Sequence, residues 1–152
     1  TIFKGSNFIL VPTQKNKKET IEAVKDLATK MEFGRICTLS IEKHDKMIGF
    51  LSQLTHVIAV SLMNTHDNAH LVEYTGDSFR DLTRIAKINE DLWTELFIMN
   101  KDILLDEINQ FIDSISHFRD SLEQEDTQEM KRLFIQSTKR RDKFNKTDAK
   151  KR

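Results

Sequence analysis

Over most of its length this chain repeats apolar residues with a helical period. In the run 47–63, Ile48, Leu51, Leu54, Ile58 and Leu62 form one stripe at helical spacing, which predicts a buried helix reaching about Asn64. A second lane of the same run, Gly49, Ser52, Gln53, His56 and Val60, is largely polar. Buried polar groups cost free energy unless partnered, so this lane either meets other protein groups or lines a cavity that accepts a polar ligand. The run is too short, and too polar at its middle, for a membrane span, which takes about 20 predominantly apolar residues. A core helix without membrane contact is the expectation.

The first forty residues have a different rhythm. Phe8 to Val11 reads as a short strand stopped by Pro12. Residues 19–31 then place Ile21, Val24, Leu27, Ala28 and Met31 on one helical face. Gly34 is expected to end that helix, and 35–40 alternates as a second strand. Strand, helix and strand in about 33 residues make a β-α-β unit with parallel strands. Two strands are too few for a stable sheet, so the unit reads as the end of a larger one.

From Ile41 onward the pattern is helical. A turn and a short helix are expected in 65–74, then a helix over 79–86 opened by the Ser78/Asp81 capping-box spacing, with Asp81 and Arg84 on one face. A long pattern from Asn89 to Leu122 shifts its apolar register by one near Asn100, a candidate cap. A last helix covers 126–140. The stripe over 104–122 is too extended for that helix to cover alone, which predicts a homodimer built on the long helices. The organisation is therefore 1–40 as the β-α-β end of a sheet domain, 41–145 as a helical domain and 146–152 as a basic, solvated tail.

Composition supports helices and little else. Four Gly and one Pro leave long stretches unpunctuated. Lys plus Arg and Asp plus Glu are 24 each, so bulk charge gives no case for nucleic acid or a membrane surface. Cys37 is the single cysteine, which excludes an intramolecular disulfide. With no charged-then-apolar leader at the start of the sequence as given, a cytoplasmic setting is expected. His66 and His70, with Asp67 and Glu73 nearby, have a spacing that a divalent metal could use. They read instead as exposed polar residues, and no metal site is assigned. Asp81 and Arg84, taken alone, read as a surface ion pair.

Taken together the motifs say more. His44-Asp45 with 52-SQLTH-56, and 79-FRDLTRIA-86 followed by Trp93, resemble the prephenate dehydrogenase family. There a His-Asp at a helix start leads to Ser-His-x-Pro-His, and a Gly-rich turn leads to Phe-Arg-Asp-x-Thr-Arg-Ile-Ala with a Trp nine residues past the second Arg. Arg84 and Trp93 keep that spacing. The segment 8-FILVPT-13 is similar to the family's Tyr-Ile-Leu-Thr-Pro-Thr strand before the last helix of its nucleotide-binding domain. The chain departs from the pattern at Gln53, where the family has His, at Thr55, where it has Pro, and at Asp77 and Ser78, which replace turn glycines. Gln hydrogen-bonds but does not titrate.

The resemblance implies a mainly α fold: a β-α-β remnant of a Rossmann-type nucleotide-binding sheet over 1–40, then an all-helical dimerisation domain like the C-terminal domain of 6-phosphogluconate dehydrogenase. The activity implied is NAD-dependent oxidative decarboxylation of prephenate to 4-hydroxyphenylpyruvate, in tyrosine biosynthesis. The family's G-x-G-x-x-G and catalytic His do not occur in these residues and are expected upstream, so the chain is expected to be the C-terminal part of a larger enzyme, inactive alone. By motif position, Arg84 would fork a substrate carboxylate, His56, Ser52 and Gln53 would line the pocket, Asp81 would support it or reach across subunits, and Trp93 would form a wall. Prephenate, a second copy of the chain and tyrosine as a candidate feedback inhibitor are the implied partners. A helical interaction module without an active site is the competing reading.

Overall fold

The computed structural model describes residues 2–67 and 70–145. β1 (Asn7–Leu10) and β2 (Arg35–Thr38) pair in parallel, from Asn7 opposite Arg35 to Leu10 opposite Thr38, with α1 (Lys18–Lys30) between them in sequence. The expected β-α-β unit is thus present, as a sheet of two strands.

The end of α1 differs from expectation. Glu32 turns into the left-handed region at φ 64, with its N–H on the Thr29 carbonyl and that of Phe33 on the Ala28 carbonyl. This is a Schellman closure with glutamate where glycine is usual. Gly34 comes later and serves a close approach, since a Cβ there would lie 2.8 Å from the Gly5 backbone.

Every regular element after β2 is helical among the described residues. α2 (Ile41–Ile48), a π segment (Gly49–Leu54) and α3 (Thr55–Asn64) run on without a break, 24 residues in all. By length and composition alone that stretch could cross a membrane, so the expectation that it is too short does not hold for the folded element. Its middle is packed at Gln53 and Leu54, each 4% exposed, with Gln53 bonded to other parts of the protein, while Leu51 of the expected buried stripe is 53% exposed. A short 3-10 turn (Val72–Tyr74) is all that forms within the described part of 65–74, of which Asn68 and Ala69 lie outside the described residues.

α4 (Asp77–Thr83) begins earlier than predicted. Gly76 precedes its first turn and Ser78 lies inside the helix, so no Ser78 cap forms. The ion pair of this helix also moves: Arg80 bonds Asp77 at 3.2 Å, and among the described residues none joins Asp81 to Arg84. A 3-10 turn (Arg84–Ala86) follows, packed on α3. α5 (Glu90–Met99), opened by the Asn89 side chain on the Leu92 N–H, ends at Asn100, where the register break was expected.

The chain forms two compact units, Thr1–Glu107 and Ile108–Arg152, with α6 (Lys101–Glu123) contributing residues to each. In the first unit Ala28, Leu54, Ala59 and Leu104 are the buried apolar residues. In the second, α6 reverses through Glu125, at φ 53, and Asp126 then caps α7 (Thr127–Asn145) by accepting from the Gln128 and Glu129 N–H groups. α7 outruns the predicted end at 140, and 146–152 lie outside the described residues. Phe118 and Phe134 meet at 6.0 Å between ring centroids. Beside them Glu129 accepts from Arg132 Nε at 2.6 Å and lies 2.7 Å from His117 Nε2. The Arg132 guanidinium foremost, and His117 after it, hold the Glu129 carboxyl down to about 2.

Candidate functional site

The site is assembled on the helical stretch 41–64. Ser40 caps α2 by accepting from the Lys43 N–H, and His44 Nδ1 lies 2.9 Å from Asp45 Oδ1. At Gly49 the helix widens into the π segment, which sets one more residue between bonded partners than an α-helix does. Gly49 lets it pass α6 closely, since a Cβ there would come 2.9 Å from Ile103 Cγ2.

The polar lane divides into a structural half and an open half. Gln53 is buried, donates through Nε2 to the Leu96 carbonyl at 2.9 Å, and accepts from Asn100 Nδ2 at 2.8 Å. Asn100 Nδ2 also donates to the Asp45 carbonyl at 3.1 Å. Gln53 is therefore held by protein groups. One turn further on, His56 Nδ1 sits 2.8 Å from the Ser52 carbonyl. A carbonyl can only accept, so Nδ1 carries the proton, and Nε2 is the nitrogen left to accept in the neutral ring. The imidazole lies against Trp93, with 3.6 Å between centroids and 31° between planes, and Trp93 meets Phe97 edge-on at 5.5 Å. His56 and Trp93 are thus in contact across α3 and α5, while Ser52 touches the pair through its carbonyl.

Arg84 is exposed and, among the described residues, has no ion-pair partner. Its 3-10 turn packs on α3, the helix that carries His56. Asp81 is exposed on α4. An imidazole set against an indole supplies an apolar wall with a hydrogen-bonding edge, and an exposed guanidinium has the planar fork that a carboxylate accepts.

The turn between β1 and α1 does not suit the pyrophosphate of a dinucleotide. It has Pro12 and no glycine, and it is closed by Asn16 Oδ1 accepting from the Thr13 N–H at 2.7 Å. No cradle of free N–H groups is formed there for a pyrophosphate. Among the described residues no cluster of His, Cys, Asp and Glu could hold a metal ion. A groove of about 500 Å³, lined by Ile115, Phe118, Leu133, Phe134 and Arg140 among others, belongs to α6 and α7 and includes none of the site residues.

Sequence reading singled out Asn100 only as a cap and missed its bonds to Gln53 and Asp45. These span more than forty residues, and no local spacing announces them.

Fold and site together define a class: an all-helical domain following the edge of a parallel sheet, with a histidine set on a tryptophan. Residues 40–136 match the family described as prephenate dehydrogenase, dimerization domain, and the chain belongs to the prephenate dehydrogenase family. It is 33% identical to a prephenate dehydrogenase of Bacillus subtilis over 88% of its own length and 37% of that protein's. It is 28% identical to a cyclohexadienyl dehydrogenase of Zymomonas mobilis over 92% of its length and 50% of that protein's. Among solved structures it resembles the prephenate dehydrogenase from A. aeolicus in complex with hydroxyphenyl propionate and NAD+, with a TM-score of 0.80 and 29% identity, over 92% of this chain and 50% of that one. A Synechocystis arogenate dehydrogenase has the same fold, with a TM-score of 0.80 at 19% identity over 93% of this chain and 53% of that one. The chain thus spans between about a third and a half of the proteins it matches.

Proposed function

We propose that this chain is the helical part of a prephenate dehydrogenase, the enzyme that converts prephenate to 4-hydroxyphenylpyruvate by NAD-dependent oxidative decarboxylation in cytoplasmic tyrosine biosynthesis. The observation that carries the reading is the His56–Trp93 contact on a helix against which the turn of Arg84 packs, Arg84 having no ion-pair partner among the described residues. Prephenate carries one carboxylate on a six-membered ring that also bears a hydroxyl, and a second at the end of a pyruvyl side chain. Arg84 takes one carboxylate through its planar fork. His56 offers Nε2 at the pocket edge, Trp93 supplies a face for the ring, and the Ser52 hydroxyl is available beside them. Gln53 supports this wall from behind, and Asp81 is a polar neighbour available to the site or to a second subunit.

NAD belongs, in this reading, to a nucleotide-binding domain of which residues 1–40 are the end, with 41–145 as the dimerisation and substrate domain. The catalytic base is assigned to that same nucleotide-binding part. The chain alone neither binds NAD nor turns over prephenate. Homodimer formation through the long helices follows from their exposed apolar positions, among them Ile115, Leu122 and Phe134. Tyrosine as an inhibitor of the same pocket is part of the proposal, being close in shape to the product.

The test is Arg84→Ala in the complete enzyme. Loss of a fork to a partly desolvated carboxylate costs about 2–5 kcal/mol in kcat/KM for prephenate and leaves NAD affinity unchanged. Arg84→Lys restores part of it, since an ammonium keeps the charge without the two-bond geometry. An unchanged kcat/KM would remove Arg84 from the pocket and favour an interaction module without an active site. Parallel kinetics with arogenate decide which of the two cyclohexadienyl substrates the fork serves.

A further inference from the structure

We propose that Asn100 is a positioning residue for the His56 imidazole, acting through Gln53 and the π segment; its kinetic consequence rests on the pocket reading above. Asn100 stands at the break between α5 and α6, and both hydrogens of its amide are spent across the fold: one on the Asp45 carbonyl at 3.1 Å, the other on Gln53 Oε1 at 2.8 Å. Those two acceptors bracket the π segment, Asp45 in the last turn of α2 and Gln53 near the far end of the widened turn. Gln53 then passes the connection on, donating to the Leu96 carbonyl. That carbonyl belongs to the last turn of α5, where a helix leaves its acceptors without partners of its own.

The network therefore fixes both members of the ring contact. Ser52, whose carbonyl takes the His56 Nδ1 proton, is the residue before Gln53, and Trp93 lies one turn before Leu96. A π turn is a rare local geometry, retained where surrounding contacts over-determine it. Relaxation to a plain α-helix would turn the residues that follow by about 100° per position. The His56 ring would then turn away from Trp93, and the Ser52 carbonyl would be taken by the His56 backbone N–H as in any α-helix, which removes the constraint that places the proton on Nδ1. Neither Asn100 nor Gln53 needs to touch substrate for this. The buried Gln53 amide and the half-buried Asn100 amide satisfy one another, and leaving Gln53 unmatched strands a desolvated group at the point where the helix is wound differently.

The experiment reads the His56 tautomer in the 152-residue chain by nitrogen-15 NMR of the histidine rings, under conditions where the ring is neutral, with His56→Gln assigning the signal. Wild type is expected to hold the Nδ1–H form. Asn100→Leu is expected to move His56 toward the Nε2–H form and to weaken its cross-peaks to the Trp93 indole. Should Asn100→Leu fail to fold by circular dichroism, Asn100→Asp has the same size, removes both donors and is expected to give the same shift. A wild-type tautomer and unchanged Trp93 cross-peaks in the folded variant would overturn the proposal. A second arm measures the complete enzyme, where the same variant is expected to lower kcat/KM for prephenate by about 10-fold or more while sparing the KM for NAD. A tautomer shift with unaltered kinetics would uphold the positioning role and count against the substrate pocket, so the two failures are told apart.

Discussion

The helical stretch 41–64 and the hairpin of α6 with α7 use apolar sequence in opposite ways. The first encloses a polar lane and ties it down: Gln53 is 4% exposed, and each of its amide atoms has a partner. The hairpin leaves Ile115, Leu122, Phe134 and Ile135 more than half exposed, and no apolar residue of 108–144 is buried. Its polar connections, Glu129 with Arg132 and His117, lie at the surface. One region is finished around its polar lane, with Phe50 and Leu51 left more than half exposed, and presents chemistry. The other is unfinished and presents area, as expected of a surface that a second subunit completes.

The largest effect that would break this contrast is expected at Phe134. If a second copy covers the hairpin, Phe134→Asp buries an unpaired carboxylate in the contact and weakens the dimer by about 3 kcal/mol or more, roughly a hundredfold. Light scattering at micromolar concentration should show a wild-type dimer and a monomeric variant; a wild-type monomer would leave the hairpin uncovered and sink the contrast. In the finished region, Ala59 is fully buried, and Ala59→Leu should cost about 1–3 kcal/mol by overpacking. A cost near zero in urea denaturation would mean that α3 is more loosely packed than its burial indicates.

Gly49→Ala is smaller. The added methyl meets Ile103 Cγ2 at 2.9 Å, and the strain is partly offset by a gain of about 1 kcal/mol in helix propensity. A net loss of about 1 kcal/mol is expected, and a stabilised variant would show that the approach to α6 is not tight.

The smallest effect is electrostatic. Glu129 is held near 2, below its usual 4.5, chiefly by Arg132. A depressed carboxyl contributes stability above its unfolded value and loses that contribution as pH falls through its folded one. Wild type should therefore melt above Glu129→Gln near neutral pH, and the gap should close between about pH 4.5 and 2. A gap independent of pH would mean that the ion pairs at this surface contribute nothing.

The comparison also marks what the sequence could reveal. The β-α-β unit, the helix through Asn64 and the break at Asn100 were legible because each follows from a local period or its interruption. The polar lane was legible as a question, and Asn100 with Leu96 answers it for Gln53. The π segment was not legible, because its extra residue leaves the apolar stripe intact over so short a run. Nor was the Schellman turn at Glu32, since propensity favours glycine there and tertiary contacts overruled it. The early start of α4 was hidden because Ser78 and Asp81 imitate a capping box that the chain does not use. For the site, motif spacing brought His56, Trp93 and Arg84 forward together, and the structure joins the first two and sets the turn carrying the third against the same helix. The support behind them was invisible, because hydrogen bonds between residues 45, 53, 96 and 100 leave no trace in periodicity.

Trp93 is the chain's single tryptophan, and it lies against His56. The protein therefore carries its own optical probe at the candidate site. Its ultraviolet emission comes essentially from one indole, and a charged imidazole in contact with that indole is an efficient quencher. Ligand entry, protonation of the ring and loss of the π geometry would each change the same signal, so the occupancy and integrity of this wall can be followed in solution without a label.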